Sequence, residues 1–82
     1  MKTYISILRG INVSGHKIIK MDALRNLYEN MGFVNVITYV QSGNVIFRGE
    51  DIEINSLENK ISQQIEKEFG FQVPVIVFSI EK

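Results

Sequence analysis

The architecture of this protein can be predicted outward from Val34–Arg48, VNVITYVQSGNVIFR. β-Branched and aromatic residues alternate with polar ones through Val34–Gln41 and are dense again in Asn44–Arg48, a pattern typical of β-strands. Ser42-Gly43 between them suits a tight turn, because glycine tolerates the backbone angles that such turns need. The two strands are therefore predicted to form a hairpin.

A strand and a helix are predicted before the hairpin. Thr3–Arg9 is β-branched and apolar, and Gly10 ends it. A polar loop follows, and then apolar residues recur at helical spacing up to Gly32, a residue suited to a left-handed helix cap. The apolar residues of this helix are Met21, Leu24, Leu27, Tyr28 and Met31.

A second helix and a last strand are predicted after the hairpin. Asn55 followed three residues later by Glu58 resembles a capping box, which would mark a helix start. Gly70 would end that helix, and Gln72–Ile80, apolar on both faces, would form the fourth strand. The apolar stripe of this helix consists of Leu57, Ile61, Ile65 and Phe69.

The resulting order, β-α-β-β-α-β, predicts an α+β domain of the ferredoxin-like type. Right-handed crossovers give a four-stranded antiparallel sheet in the order 4-1-3-2, with two helices on one face. Pro74 supports this order, since proline within a strand belongs at an edge and strand four is an edge. Eighty-two residues suffice for a single domain, residues 1–82, and for one packed core.

Composition narrows the class of protein. Hydrophobic residues at 45% and charged residues at 22% are ordinary globular values. No cysteine is present, which fits a reducing compartment. Neither a secretory signal nor an apolar run long enough to span a membrane is found, so we expect a cytoplasmic protein with no membrane partner.

The net charge of zero disfavours a protein built to coat nucleic acid. The charges are nevertheless uneven: residues 1–25 carry five Lys and Arg against one Asp, and residues 26–82 carry four against eight acids. Such a split could steer an anion toward the first loop. Chance surface composition explains it equally well.

The loop Gly10–Lys17 has the G-x-x-x-x-G spacing of a phosphate-binding loop. The P-loop needs lysine and then a hydroxyl directly after the second glycine, whereas here His16 intervenes and Ile18 follows Lys17. A nucleoside triphosphatase is therefore rejected. A simpler hypothesis remains, in which backbone amides with Lys17 and Lys20 hold an anion, against the alternative of a solvated connecting loop.

The histidine and the clustered acids of the sequence do not indicate a metal centre or a catalytic group. His16 is the one histidine, so the usual ligands of a structural zinc site are lacking. The acids Glu50, Asp51 and Glu53 could bind a cation weakly, but they are interpreted as residues that keep a turn and a helix start soluble and favourably charged. We expect no cofactor, no metal and no catalytic residue in this chain.

A ligand site is predicted where the loop after strand one meets the hairpin turn, since this topology places both at one end of the sheet. Arg9 offers a planar fork of donors for carboxylate or phosphate, and the amides and hydroxyl add further hydrogen bonds. The alternative is that these side chains only pin the loop against the turn. The predicted ligand-binding residues are Arg9, Asn12, Lys17, Gln41, Ser42 and Asn44.

The sheet face away from the helices is predicted to be an apolar interface. If Ile5, Ile7, Val45 and Phe47 face the helices, the other face carries mainly apolar side chains. RNA binding would need aromatic residues on the two central strands, and strand three offers only Phe47, which is predicted to point inward. The predicted interface residues are Tyr4, Leu8, Tyr39, Ile46, Ile76, Phe78 and Ile80.

Several motifs together resemble the bacterial domain-of-unknown-function family 1697. The resemblance implies a longer protein of which this chain is the N-terminal ferredoxin-like half, followed by a further α/β half. It implies no activity, cofactor or catalytic residue. The motifs are Arg9-Gly10-Ile11-Asn12-Val13, Lys20-Met21, Gly32-Phe33 and Thr38-Tyr39-Val40-Gln41-Ser42-Gly43-Asn44-Val45.

The functional hypothesis is a binding or assembly module that associates through its open sheet face, with a small-anion site at the end that carries Arg9. Its partner would be a second copy, giving a homo-oligomer, or its own C-terminal half. One alternative is a non-catalytic portion of an enzyme completed by that half. A weaker alternative is nucleic-acid binding.

Overall fold

The computed structural model describes residues 1–11, 18–39 and 43–80, and these form an α+β fold with four antiparallel strands and two helices. The strands occur in the order β2-β3-β1-β4, which read from the opposite edge is β4-β1-β3-β2. The elements are β1 (Lys2–Leu8), α1 (Met21–Asn30), β2 (Val34–Tyr39), β3 (Asn44–Gly49), α2 (Ile54–Phe69) and β4 (Val75–Ile80).

The core lies between the helices and one face of the sheet, and an aromatic cluster forms its centre. Phe47 on β3 is fully buried, and its ring centroid lies 5.5 Å from that of Tyr4, 5.2 Å from that of Tyr28 and 4.5 Å from that of Phe33. These rings come from four separate segments of the chain. Phe47 therefore ties β1, α1 and β3 together.

The side of β1 that faces the helices is opposite to the one predicted from the sequence. Tyr4 and Leu8, expected at the open face, are 1% and 3% exposed and belong to the core. The hydroxyl of Tyr4 donates to the carbonyl of Glu50 (3.1 Å) and accepts from the amide of Ile52 (3.3 Å). The hydroxyl of the buried tyrosine thus has hydrogen-bond partners in the segment that follows β3.

Ser6 lies on the same buried side of β1 as Tyr4 and Leu8. A serine in a strand suggests a solvent-facing position, but Ser6 is fully buried. Its hydroxyl shares a hydrogen bond of 2.7 Å with that of Tyr28 and donates to the carbonyl of Val45 (3.3 Å). Burial raises the pKa of Tyr28 well above its ordinary value, and the hydrogen bond with Ser6 opposes that rise only in part. Because Tyr4, Ser6 and Leu8 face the helices, Ile5 and Ile7, which were expected to face them, lie on the other face.

The predicted capping box of the second helix is also wrong. The helix begins at Ile54 with Glu53 as its N-cap, so Asn55 and Glu58 both lie inside it. The carboxylate of Glu58 instead accepts a hydrogen bond from the backbone amide of Val77 (2.9 Å) on β4. The predicted end at Gly70 is confirmed, and this glycine has the left-handed φ of +82°.

Within the described residues, neither helix is long and apolar enough to cross a membrane.

Candidate functional site

The face of the sheet that the helices leave uncovered, here called the open face, carries a continuous apolar row across all four strands. The strand register pairs Ile5 of β1 with Ile46 of β3 and with Phe78 of β4, and pairs Ile46 with Ile37 of β2. Directly paired residues point to the same side of a sheet. The apolar row therefore runs Ile37–Ile46–Ile5–Phe78, perpendicular to the strands.

Polar side chains border the apolar row on the two central strands. On one side the register aligns Tyr39, Asn44, Ile7 and Ile76. On the other side it aligns Val34, Arg48, Thr3 and Ile80. The open face thus has an apolar centre with an amide, a hydroxyl and a guanidinium at its borders.

The large side chains at the margins of the open face are exposed to solvent. Phe78 on β4 is 52% exposed, and Ile37 and Tyr39 on β2 are each 49% exposed. The isoleucines of the central strands, Ile5 and Ile46, are half-buried by their neighbours. Contiguous apolar surface of this kind usually marks an interaction site in a folded domain.

The sequence predicted most of the open face but missed part of it. Tyr39, Ile46, Ile76, Phe78 and Ile80 lie on it as predicted. Tyr4 and Leu8 do not, because both are buried under the helices. The missed residues are Ile5, Ile7 and Ile37. Ile37 alternates with Thr38 along β2 and pairs with Ile46, so correct pairing of the hairpin would have found it.

The loop after β1 and the hairpin turn approach one another at one end of the sheet, as the topology predicts. The amide of Leu8 donates to the carbonyl of Gly43 (2.9 Å), and the amide of Arg9 donates to the carbonyl of Pro74 (3.0 Å). Gly43 also lies against the side chain of Ile11. The chain segments that carry Arg9 and Asn44 are therefore neighbours.

The predicted ligand site itself falls largely outside the described residues. Asn12, Lys17, Gln41 and Ser42 all lie in ranges that the structure leaves undescribed, as does His16. Of the predicted site residues, Arg9 is described and exposed, and Asn44, on β3 opposite Ile7, is described and half-buried.

Other charged residues are engaged in ordinary surface roles. Asp51, one of the acids after β3, forms an ion pair of 3.3 Å with Lys2, and both side chains are exposed. In residues 1–11, 18–39 and 43–80, no three metal-binding side chains come together. In the same ranges every buried side-chain nitrogen or oxygen has a hydrogen-bond partner.

A shallow groove of about 290 Å³ lies at the other end of the sheet, where β1 begins. Its walls are Met1, Met31, Gly32, Phe33, Glu50, Ile52 and Lys60. The sequence did not predict it, because its residues come from several separate segments. Its two charged side chains are exposed, and no buried polar group points to a ligand there.

The geometry gives little support to RNA stacking. Phe47 is buried, as the sequence predicted. On the open face, the central strands present Ile5, Ile7 and Ile46, which have no aromatic ring to stack on a base.

Comparison with known proteins identifies a family and a solved relative. The family model described as "Protein of unknown function (DUF1697)" matches residues 1–82. The structure of the conserved bacterial protein SP0830 from Streptococcus pneumoniae is similar with a TM-score of 0.81 and 30% sequence identity. The match covers 96% of this chain and 43% of that protein. No curated protein matches.

Proposed function

The chain belongs to the DUF1697 family of proteins of unknown function, and we propose that it is an assembly module whose open face docks against the open face of a second copy. The observation that carries this proposal is the apolar row Ile37–Ile46–Ile5–Phe78, which crosses the uncovered side of the sheet without a polar interruption. In sandwich folds, two such faces pack about 10 Å apart with their side chains interdigitated.

The size of the open face fits a weak and reversible dimer. Four strands spaced ~4.8 Å apart and about six residues long at ~3.3 Å each give a projected area of roughly 400 Å². Side-chain relief raises the accessible area above this projection. Two such faces give roughly 800 Å² of projected area, which is less than the ~1,200–2,000 Å² of stable interfaces and typical of weak, transient ones.

Charge does not oppose this pairing. The net charge of the chain is zero, and among the described strand residues Arg48 is the charged side chain that the register places on the open face. A two-fold axis along the apolar row would set Arg48 against Asn44 of the second copy, and an axis along the strands would set it against Thr3. Either arrangement separates the two guanidinium groups and offers each a hydrogen-bond partner.

The solved relative offers a second possible occupant of the open face. SP0830 is more than twice as long as the part that this chain matches. In a polypeptide of that length a companion domain could cover the open face, and a high effective concentration would compensate for a small interface. We adopt the second copy because it requires only this chain, and a strictly monomeric chain would favour the companion domain.

The proposal also includes a fold type and a cellular compartment. We assign the β-α-β-β-α-β order with both helices on one face to the ferredoxin-like type. The lack of cysteine fits the bacterial cytoplasm as the working compartment.

Sedimentation equilibrium over a concentration series tests the proposed dimer. From about 10 μM to about 1 mM, a range in which weak interfaces dissociate, the average mass should rise from 9.4 kDa toward twice that value. Phe78→Lys and Ile37→Lys, at opposite margins of the open face, should each keep the chain monomeric, because docking would bury an unpaired ammonium group.

Ile18→Lys is the matched control for these variants. Ile18 is 63% exposed but lies in the loop before α1, outside the sheet. The control should dimerise like the unmodified chain. A mass that stays at 9.4 kDa throughout, or a dimer that survives both face variants, would refute docking through the open face.

We retain the small-anion site as a second candidate function, supported by the contact between the end of β1 and the hairpin turn. The hydrogen bond from Leu8 to Gly43 brings the segments of Arg9 and Asn44 together. A guanidinium and a carboxamide suit a phosphate or carboxylate group. The site would be open to water, since Arg9 is exposed.

Nuclear magnetic resonance titration with inorganic phosphate and with acetate tests this site. Amide shifts should concentrate at Arg9 and Asn44, and Arg9→Ala should weaken binding by roughly tenfold through the loss of charge-assisted hydrogen bonds. Arg48→Ala, an exposed arginine on the open face, is the control and should bind as before. Equal weakening in both variants would indicate a general charge effect and exclude a site.

A further inference from the structure

The outer edge of β4 carries a side chain that takes the place of a neighbouring strand. β4 lies at one border of the sheet and pairs only with β1 within the described residues. The backbone amide of Val77 points away from β1 and donates to the Glu58 carboxylate of α2 at 2.9 Å. An unpaired edge usually offers such amides to another polypeptide.

The backbone groups of successive residues along β4 point alternately toward β1 and away from it. The carbonyl of Pro74 accepts from Arg9 on the β1 side, so residues two, four and six positions later also face β1. Val75, Val77 and Ser79 therefore direct their backbone groups outward. Val77 is the middle one of the three.

The position of Val77 makes Glu58 an effective block against self-pairing. Two β4 strands related by a two-fold axis would pair antiparallel about Val77, with each Val75 opposite Ser79 of the other copy. The central hydrogen bonds of that ladder would use the Val77 amide, which already bonds to a carboxylate. Charge-assisted hydrogen bonds of this type are stronger than amide–carbonyl ones.

Two further features of this sheet discourage its edges from pairing with another strand. The hydroxyl of Ser62 on α2 donates to the carbonyl of Val73 (3.1 Å), which holds the helix over the approach to β4. At the other border, the pairing of β2 with β3 shifts register between Val34 and Ile37, where Asn35 has a φ of +53°. Irregularities of this kind discourage edge pairing.

We propose that β4 is a latent strand-docking edge, that its occupant is the β4 strand of a second copy, and that Glu58 keeps it closed by occupying the Val77 amide. Removal of the Glu58 carboxylate would allow two four-stranded sheets to join into one of eight strands. This surface is the edge of the sheet, and it is independent of the open face.

Glu58→Ala in an Ile37→Lys background tests the proposal, since Ile37→Lys blocks docking of the open face and leaves β4 unchanged. Alanine preserves the helix because of its high propensity. In dilute solution the Val77 amide should exchange with solvent about tenfold faster or more, as expected for loss of a hydrogen bond to a charged group. With rising concentration its exchange should slow again and the mass should rise above 9.4 kDa.

Two matched variants in the same background complete the experiment. Glu58→Gln keeps an oxygen that can accept from Val77 and should remain monomeric. Glu68→Ala removes an exposed acid from the same helix and should also remain monomeric. The proposal is overturned if Glu58→Ala stays at 9.4 kDa, if its Val77 exchange does not depend on concentration, or if Glu68→Ala associates equally.

Discussion

Phe47→Ala should remove a large part of the free energy of unfolding of the domain. Phe47 is fully buried and contacts the rings of Tyr4, Tyr28 and Phe33 from three other segments. Truncation of a buried phenylalanine costs about 3–5 kcal/mol, because hydrophobic transfer energy is lost and a cavity remains. A chain of this length has a free energy of unfolding on the order of 4–12 kcal/mol. Urea denaturation followed by circular dichroism measures the loss.

Phe78→Ala is the matched control, since it removes the same ring from the opposite side of the sheet. Phe78 is 52% exposed and does not belong to the core. At concentrations where the chain is monomeric, we expect its free energy of unfolding to change by less than about 1 kcal/mol. Similar losses in both variants would mean that the assignment of the two faces is wrong.

Gly43→Ala should have the second-largest effect, because two separate constraints act at this position. The backbone φ of Gly43 is +67°, which costs a residue with a Cβ about 1–2 kcal/mol. A Cβ there would also lie 2.7 Å from the carbonyl oxygen of Leu8, and backbone cannot move aside as a flexible side chain can. Such crowding adds roughly 1–3 kcal/mol. Thermal and urea unfolding measure the sum.

Gly10→Ala separates the two constraints. Gly10 has a similar φ of +73°, but among the described residues a Cβ there would meet nothing within 4 Å. This variant should therefore show the backbone cost alone, and the difference between the two variants should report the crowding against Leu8. Equal losses would show that the hairpin turn is not held against the end of β1.

The contact between Leu8 and Gly43 shows which part of the ligand site could be predicted from the sequence. Topology alone places the loop after β1 beside the hairpin turn, and the hydrogen bond from Leu8 to Gly43 agrees with it. The positions of Asn12 and Gln41 depend on loop conformations, which strand periodicity does not determine. Proximity of the two segments was therefore predictable, whereas their side-chain arrangement stays a prediction.

Glu58 shows a different limit of local reasoning. Asn55 and Glu58 have the spacing of a capping box, and local propensity supports that interpretation. In the folded chain the acceptor of Glu58 serves Val77, nineteen residues later in sequence. With Glu53 as the N-cap, Glu58 lies two positions past the place that a capping box requires, and local spacing does not show which strand amide its carboxylate meets.

Periodicity, turn residues and proline act locally, so they were enough to predict the kinds of elements, their order, the hairpin and the edge position of β4. The buried side of β1, in contrast, depends on contacts that exist only in the folded chain. Both sides are largely apolar, so alternation cannot choose between Tyr4 and Ile5. The choice follows from hydroxyl groups, because Tyr4 and Ser6 find their partners on segments that become neighbours only after folding: Glu50, Ile52, Tyr28 and Val45.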